Sequence, residues 1–287
     1  MDYEITLLTT MGISILFALS LNLITGFCGQ ISLGHAAFLG IGAYLASMLG
    51  KAGLPFLATL PLAMLLAGAI GALVGLASLR VRADFLAITT MGVGFLFVGI
   101  VRQQEWLGGE LGITGIPDTG LSKVAFMVLT LLLALSVAAL CLYIRAAWMG
   151  RVFNGIAEDE DTMRVLGIDA SRYKLVAFAI GTSLAGLAGA LYAYHLKFID
   201  VGSFGFVESI TVLSMVVVGG IGSVVGVALS AAVLSALPAW FQFIGDYKLL
   251  VYGGLLFLMM RFSPGGMAAL IRGFFNPVAG NGAGGRT

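Results

Sequence analysis

Long unbroken apolar runs, separated by short polar or glycine-rich breaks, organise this sequence. The first covers 5–24 and ends at Thr25-Gly26-Phe27-Cys28-Gly29-Gln30. A second, rich in small residues, covers 31–49, and 51–55 makes a turn. Runs at 56–79 and 85–101 end in Arg80, Arg82 and Arg102. A polar, glycine-rich loop fills 103–118, and further runs cover 124–144, 175–196, 207–243 and 249–262. The run at 207–243 is interrupted near Gly219-Gly220-Ile221-Gly222-Ser223. Several runs have the length of ~20 residues that crosses a bilayer core as a helix. They are continuous rather than alternating at period two, which excludes a transmembrane β-barrel. The pattern predicts an all-α polytopic membrane protein with roughly eight or nine transmembrane helices. Segments 31–49 and 207–243 are candidates for half-helices or re-entrant pieces.

One long polar segment, 145–174, stands out between apolar flanks. Basic and acidic residues alternate through it, from Arg145 and Arg151 to Arg172 and Lys174. The spacing predicts a helix over about 156–166, capped by Asn154. Glu158, Asp159, Glu160 and Asp161 fill its first turns, where the helix dipole favours anions. Arg164 comes late and Gly167 takes the position after the helix end. A second helix starts near Asp169, with Arg172 and Lys174 snorkelling as it enters the membrane. Met163 and Leu166 share a face, which suits a groove in a partner protein. A solvated connecting loop explains the same charges equally well.

Orientation follows from the distribution of Lys and Arg in short loops. Arg145, Arg151, Arg164, Arg172 and Lys174 place the island in the cytoplasm, as do Arg80 and Arg82 for their turn. Arg261, Arg272 and Arg286 place the C-terminus inside, and the acidic 102–123 loop lies outside, as does the N-terminus. The reading is a single transmembrane domain over 1–275, followed by a flexible glycine-rich cytoplasmic tail at 276–287. The start, Met1-Asp2-Tyr3-Glu4, is acidic and no small-residue cleavage site follows the first run, so that span is expected to be retained.

Composition narrows the class. The chain has 287 residues, 60% hydrophobic and 10% charged, with a mean hydropathy of +1.06. A soluble globular domain carries far more charge. A net charge of +1 without a dense basic patch offers nothing to nucleic acid. Cys28 and Cys141 lie in or beside apolar runs and read as small core residues. The 41 glycines matter more. Ala179-x-x-x-Ser183 and Gly181-x-x-x-Ala185, continuing to Gly186 and Gly189, line one helix with small side chains, the pattern of close helix packing in lipid.

Candidate chemistry is sparse. No G-x-x-x-x-G-K-[ST] loop occurs, so ATP binding by a P-loop is not expected in this chain. There is no H-E-x-x-H, no metal-spaced Cys/His set and no nucleophile elbow; the expectation is a protein that is not an enzyme and holds no metal or cofactor. The polar groups at membrane depth are Gln30, Ser32 and His35, where glycines interrupt an apolar pattern, and Glu208, which opens a run. A carboxylate at the bilayer centre costs about 2.5–3.5 kcal/mol on insertion scales, and such residues mark pathways by default. Against this stand a His35 that bonds a neighbouring helix and a Glu208 that caps a helix at the interface.

Several motifs in order resemble the permease subunits of branched-chain amino-acid ABC transporters, specifically the M-type of the two paired permeases. Gly29-Gln30-Ile31-Ser32-Leu33-Gly34-His35-Ala36-Ala37-Phe38, with Gly40, Gly42, Ala43 and Tyr44, is similar to that family's N-terminal signature. Thr90-Met91-Gly92-Val93-Gly94 and the run from Gly108 to Pro117 resemble its middle motifs. The island, with Gly150-Arg151, Ile156-Ala157-Glu158-Asp159-Glu160 and Gly167-Ile168-Asp169, is similar to its cytoplasmic coupling loop. Phe206-x-Glu208-Ser209, Gly219-Gly220-x-Gly222-Ser223, Tyr247-Lys248 and Pro264-x-Gly266 match the M-type ending. The chain departs from the family at Gly155, at Ala157 and at Asp161-Thr162-Met163, an eroded form of the E-A-A box of ABC importers.

The resemblance implies a multi-pass protein of the bacterial inner membrane that forms the path for branched-chain amino acids in the high-affinity leucine/isoleucine/valine importer family. It implies as partners a second homologous permease, two cytoplasmic ATPase subunits that bind the ATP, and an external amino-acid-binding protein. Glu158, Asp159, Glu160, Asp161, Arg164 and Gly167 would couple to the ATPases; Gln30, Ser32, His35 and Glu208 would line the path. The same kind of permease with urea or short amides as cargo, an ATPase-independent secondary transporter and an integral membrane enzyme are the rival readings.

Overall fold

In a computed structural model, the described residues are 2–78, 83–240, 247–262 and 265–267. The predicted Arg80/Arg82 turn, the end of the 207–243 run at 241–243, Pro264, Arg272, Arg286 and the 276–287 tail lie outside them. The described residues form helices throughout, with no strand among them. Inside hydrocarbon every backbone N–H and C=O needs a partner, and a helix supplies them all within its own segment.

The chain begins with α1 (Asp2–Leu21), which continues through a π-turn, Asn22–Phe27. Then come α2 (His35–Lys51), α3 (Phe56–Ser78) and α4 (Ala83–Gln103). A loop containing a 3-10 turn, Glu105–Leu107, leads to α5 (Lys123–Ala146), α6 (Trp148–Glu158), α7 (Glu160–Val165) and α8 (Ala170–Leu196). A second 3-10 turn, Val201–Phe204, precedes α9 (Phe206–Gly219), α10 (Val224–Trp240) and α11 (Lys248–Phe262). Among the described residues five helical stretches are long and apolar enough to cross a membrane: Asp2–Phe27, Phe56–Ala77, Phe85–Gln103, Lys123–Ala146 and Ala170–Leu196. Phe206–Gly219, Val224–Ala239 and Leu250–Met259 are shorter apolar helices.

Of two breaks in the apolar runs, the first differs from expectation and the second lies where it was expected. The glycine-rich stretch 25–30 was expected to end the first run, yet the helix carries on to Phe27 as a π-turn and opens only at 28–34. The reason is a contact with the α9–α10 corner. Asn22 Oδ1 accepts a hydrogen bond from Gly222 N at 3.0 Å, and a Cβ on Gly26 would lie 2.6 Å from that same nitrogen. The second break, at Gly220–Gly222, divides the 207–243 run into α9 and α10, and both glycines have positive φ, 101° and 80°.

Helix α8, which packs against α1, α2 and α3, forms the centre. Its span and that of α1 are each 67% buried, against 28% for α3 and α5 and 17% for α4. The predicted stripe of small residues is where α8 meets its neighbours. A Cβ on Gly42 of α2 would lie 2.1 Å from Gly186 O, and one on Gly189 would lie 1.9 Å from Leu39 O. Ser183 Oγ donates to Met64 O of α3 at 2.8 Å. With lipid as apolar as leucine, such backbone-to-backbone packing and hydrogen bonding hold the helices together. Leucine and aromatic side chains of α3, α4 and α5, such as Leu65, Leu73, Phe95 and Leu135, face outward instead.

Polar links gather the two ends of the bundle. At one end Lys123 pairs with Asp2 at 3.3 Å and Lys197 pairs with Asp118, joining the starts of α1 and α5 to the end of α8. Ile113 and Ile199 add an antiparallel bridge there. At the other end α6 packs against the π-turn and Gly29, and α7 packs against α8.

Candidate functional site

The polar island folds as two helices, not one. The expected helix over 156–166 with an Asn154 cap is replaced by α6 and α7, divided at Asp159 with φ −156° and ψ 103°. Asp159 causes the break. Its Oδ1 accepts from Asp161 N at 3.0 Å and from Thr162 N at 3.1 Å, and its Oδ2 accepts from Thr162 Oγ1 at 2.5 Å. An Asp in this role caps a new helix and needs an extended backbone of its own. The Thr162 hydroxyl, followed by the backbone N–H groups, holds the exposed Asp159 carboxyl below its ordinary value. Asn154 therefore lies inside α6, and Glu158 ends α6 instead of opening a helix.

The exit from α7 follows the expectation. Gly167 has φ 81°, its N–H bonds Arg164 O at 3.0 Å, and Ile168 N bonds Met163 O at 3.1 Å. That pair of bonds is a Schellman ending, which favours glycine at its left-handed position. Asp169 then caps α8 through Arg172 N at 3.3 Å.

Glu160 anchors α7 to the bundle. It holds Arg164 at 2.7 Å and reaches Lys174 of α8, whose side chain is only 14% exposed. The backbone carbonyl of Lys174 accepts from Gln30 Nε2 at 3.0 Å, and Ala157 packs directly on Gly29. Charge and packing thus clamp the island onto the 28–34 loop. Its apolar face also differs from expectation. Met163 folds back over Gly155 and joins the core, so it does not share an open face with Leu166. Val165, 88% exposed, and Leu166, 69% exposed, are the pair that projects outward.

Gln30 and Ser32 lie in the 28–34 loop and His35 opens α2, all three buried. Thr25 Oγ1 donates to Gln30 O at 2.9 Å, Leu33 N to Thr90 Oγ1 at 3.0 Å, and Ala36 N to Ser209 Oγ at 3.1 Å. The loop is thereby stitched to α1, α4, α8 and α9. His35 stacks on Phe17 with ring centroids 5.4 Å apart. Its Nε2 lies 2.8 Å from Ser20 Oγ, and that hydroxyl already donates to Phe17 O at 2.7 Å. His35 must then be the donor, carrying its proton on Nε2. His35 Nδ1 and Ser32 Oγ are buried without a hydrogen-bond partner among the described residues.

Glu208 lies elsewhere, in the first turn of α9, where the dipole favours its charge. It lines a cavity of about 200 Å³ among α1, α2, α8, α9, α10 and α11, together with His195, Tyr192 and the apolar Ile13, Phe17 and Met215. A second cavity, of about 370 Å³, opens beside it at the Asp118/Lys123/Lys197 end. His195 and Leu196 belong to both walls. His195 Nε2 lies 3.1 Å from Thr10 Oγ1, whose hydroxyl is engaged by Thr6 O at 3.0 Å, so the imidazole donates here as well. Its ring lies flat on Phe126, with centroids 6.3 Å apart. Among the described residues no group of three or more His, Cys, Asp or Glu side chains is arranged to hold a metal ion.

Residues 4–260 match the family described as branched-chain amino acid transport system / permease component. The chain belongs to that family. The permease is 35% identical over 291 residues to the high-affinity branched-chain amino acid transport system permease protein LivM of Escherichia coli, covering 91% of this chain and 68% of that one. It is 28% identical over 284 residues to BraD of Pseudomonas aeruginosa, of the same description, covering 88% and 90%. The autoinducer 2 import system permease protein LsrC of an Enterobacter species is 30% identical over 210 residues, covering 64% and 59%. No solved structure matches. These relatives are transport permeases, not enzymes.

His195 is the permease residue that sequence reasoning passed over. The signal was available, since an ionisable group in the last turn of an apolar span is a functional candidate by default. What the sequence did not carry was that His195, Glu208 and Thr10, from three different helices, line one cavity.

Proposed function

We propose that this permease is the transmembrane subunit of an ATP-driven importer and forms the path for branched-chain amino acids. Identity of 35% across 91% of the chain to a branched-chain amino acid permease supports this reading. The geometric observation that carries it is the α6–α7 pair, a polar hairpin clamped to the bundle by Glu160 and Lys174 that projects Val165 and Leu166 outward. Two cytoplasmic ATPase subunits are the partners for that end of the importer. One docks on α7, and Glu158, Asp159, Glu160, Asp161, Arg164 and Gly167 form or shape its contact. A second homologous permease completes the path, and an external binding protein delivers the amino acid.

The protein crosses the bacterial inner membrane many times as one domain over 1–275, with the N-terminus outside and the C-terminus inside. The short helices α2, α9, α10 and α11 cross together with the five long ones. ATP closes the ATPase pair and α7 moves with it. Because α7 is bound to Lys174 and α6 to Gly29, that motion reaches α8 and the 28–34 loop as a unit. ATP and the loaded binding protein drive the cycle only if each favours a different permease state. Gln30, Ser32, His35 and Glu208 belong to the moving path.

The test is reconstitution of the permease with its ATPases, second permease and binding protein in proteoliposomes, followed with labelled leucine. ATP-dependent uptake is expected. Uptake that persists without any ATPase would sink the reading in favour of a secondary transporter, and uptake of urea or a short amide in place of leucine would reassign the cargo.

A further inference from the structure

The cavity beside Glu208 has the composition of a ligand site. At about 200 Å³ it falls below the roughly 300 Å³ at which pockets for drug-sized molecules begin, so its occupant is small. Its lining combines the Glu208 carboxylate, the His195 imidazole and several hydroxyls with the apolar Ile13, Phe17 and Met215. We infer that this cavity binds one α-amino acid as its zwitterion, within this subunit: Glu208 meets the ammonium, the His195 Nε2–H meets the carboxylate, and the apolar lining residues take the branched side chain. The inference rests on the transport function proposed above and specifies where in this chain the cargo stops.

Charge favours that occupant. A zwitterion adds no net charge to a site at membrane depth, and each of its charged ends finds a group of suitable chemistry. His195 donates its Nε2 proton to Thr10; a carboxylate accepts that N–H in place of Thr10 without any change of protonation. The larger cavity of about 370 Å³ shares His195 and Leu196 with the smaller one, so these two side chains form the wall between them.

The assembled importer tests this in detergent. Ser14 lines the cavity, and the native Cys28 and Cys141 are buried, so in Ser14→Cys a small thiol reagent reports on the cavity. Leucine is expected to slow that labelling, while 3-methylbutylamine and 4-methylpentanoate, each lacking one charged end, protect roughly ten- to a hundredfold less well. Equal labelling with and without leucine would overturn the site. Independently, Met215→Trp fills the apolar wall and is expected to cut leucine uptake by about tenfold in complexes purified at wild-type yield; unchanged uptake would also overturn it. Wild-type proteoliposomes run alongside separate the two ideas. If they take up leucine with ATP and neither variant responds, only the site fails; if they take up none, the transport reading fails and the site with it.

Discussion

Glu160 and Lys174 form an ion pair between the short α7 and the central α8, and the side chains of both are mostly covered, at 25% and 14% exposure. The pair joins the part of the chain that meets solvent to the helix around which the bundle packs. Its energetic weight lies between the ceiling of about 1 kcal/mol for an exposed pair and the about 3–5 kcal/mol lost when one partner of a fully buried pair is removed.

Breaking that pair is expected to loosen α7 without unfolding the bundle. Lys174→Met leaves Glu160 with Arg164 as its ion-pair partner and should lower coupling of leucine uptake to ATP hydrolysis severalfold, whereas the swap Glu160→Lys with Lys174→Glu should restore part of it. The uptake-to-hydrolysis ratio in proteoliposomes is the readout. A double swap no better than either single change would mean that the pair does not transmit force.

The outward pair on α7 makes a separate prediction. Leu166→Asp alters an exposed side chain, so its effect on folding should stay within about 0.5 kcal/mol. It should nevertheless deplete the ATPases that co-purify with the permease, because it places a charge at the centre of the proposed contact. Undiminished ATPase recovery would move the docking surface off α7.

Acid should undo the start of α7. The Asp159 carboxyl is held below its ordinary value by Thr162 and by backbone N–H groups. A group with a depressed folded pKa contributes stability that is present above the unfolded value, about 3.9, and disappears as pH falls through the lower folded value. Amide protection at Asp161 and Thr162 should therefore fade below about pH 4. Asp159→Asn, which can still cap, should keep protection and lose the pH dependence.

Packing at the bundle centre is the most sensitive to volume. Gly42→Ala places a methyl group 2.1 Å from Gly186 O, and overpacking of this kind costs about 1–3 kcal/mol. Gly92→Ala on α4 meets open space and serves as the neutral control. Thermal unfolding of the purified permease should separate them clearly.

Removing the hydroxyl in Ser20→Ala leaves the Nε2–H of the fully buried His35 without the acceptor it has now. A buried donor left unpaired costs about 1–3 kcal/mol. A fall in unfolding temperature for Ser20→Ala, absent in Ser20→Thr, would mark the bond as structural; no fall would show that His35 has another acceptor within reach.

The sequence by itself determined the class of this protein, the approximate limits of its apolar helices and the place of its polar island. Those features depend on local composition: an apolar run of about 20 residues is long enough to cross a bilayer as a helix, and Gly167 ends a helix because its own backbone takes φ 81°. The stripe at Gly186 and Gly189 was legible for the same reason, since small side chains at helical spacing leave a groove whatever fills it. Tertiary structure decided the rest. Asn154 and Asp159 are both competent caps, and the burial of Val152, Phe153 and Ile156 in α6 draws Asn154 into a helix and leaves the capping to Asp159. Met163 turned inward because Gly155 leaves space above α6. Glu160 found Lys174, and Glu208 came to share a cavity with His195 and Thr10, because helices distant in the chain pack side by side, and no local pattern encodes which helices those are.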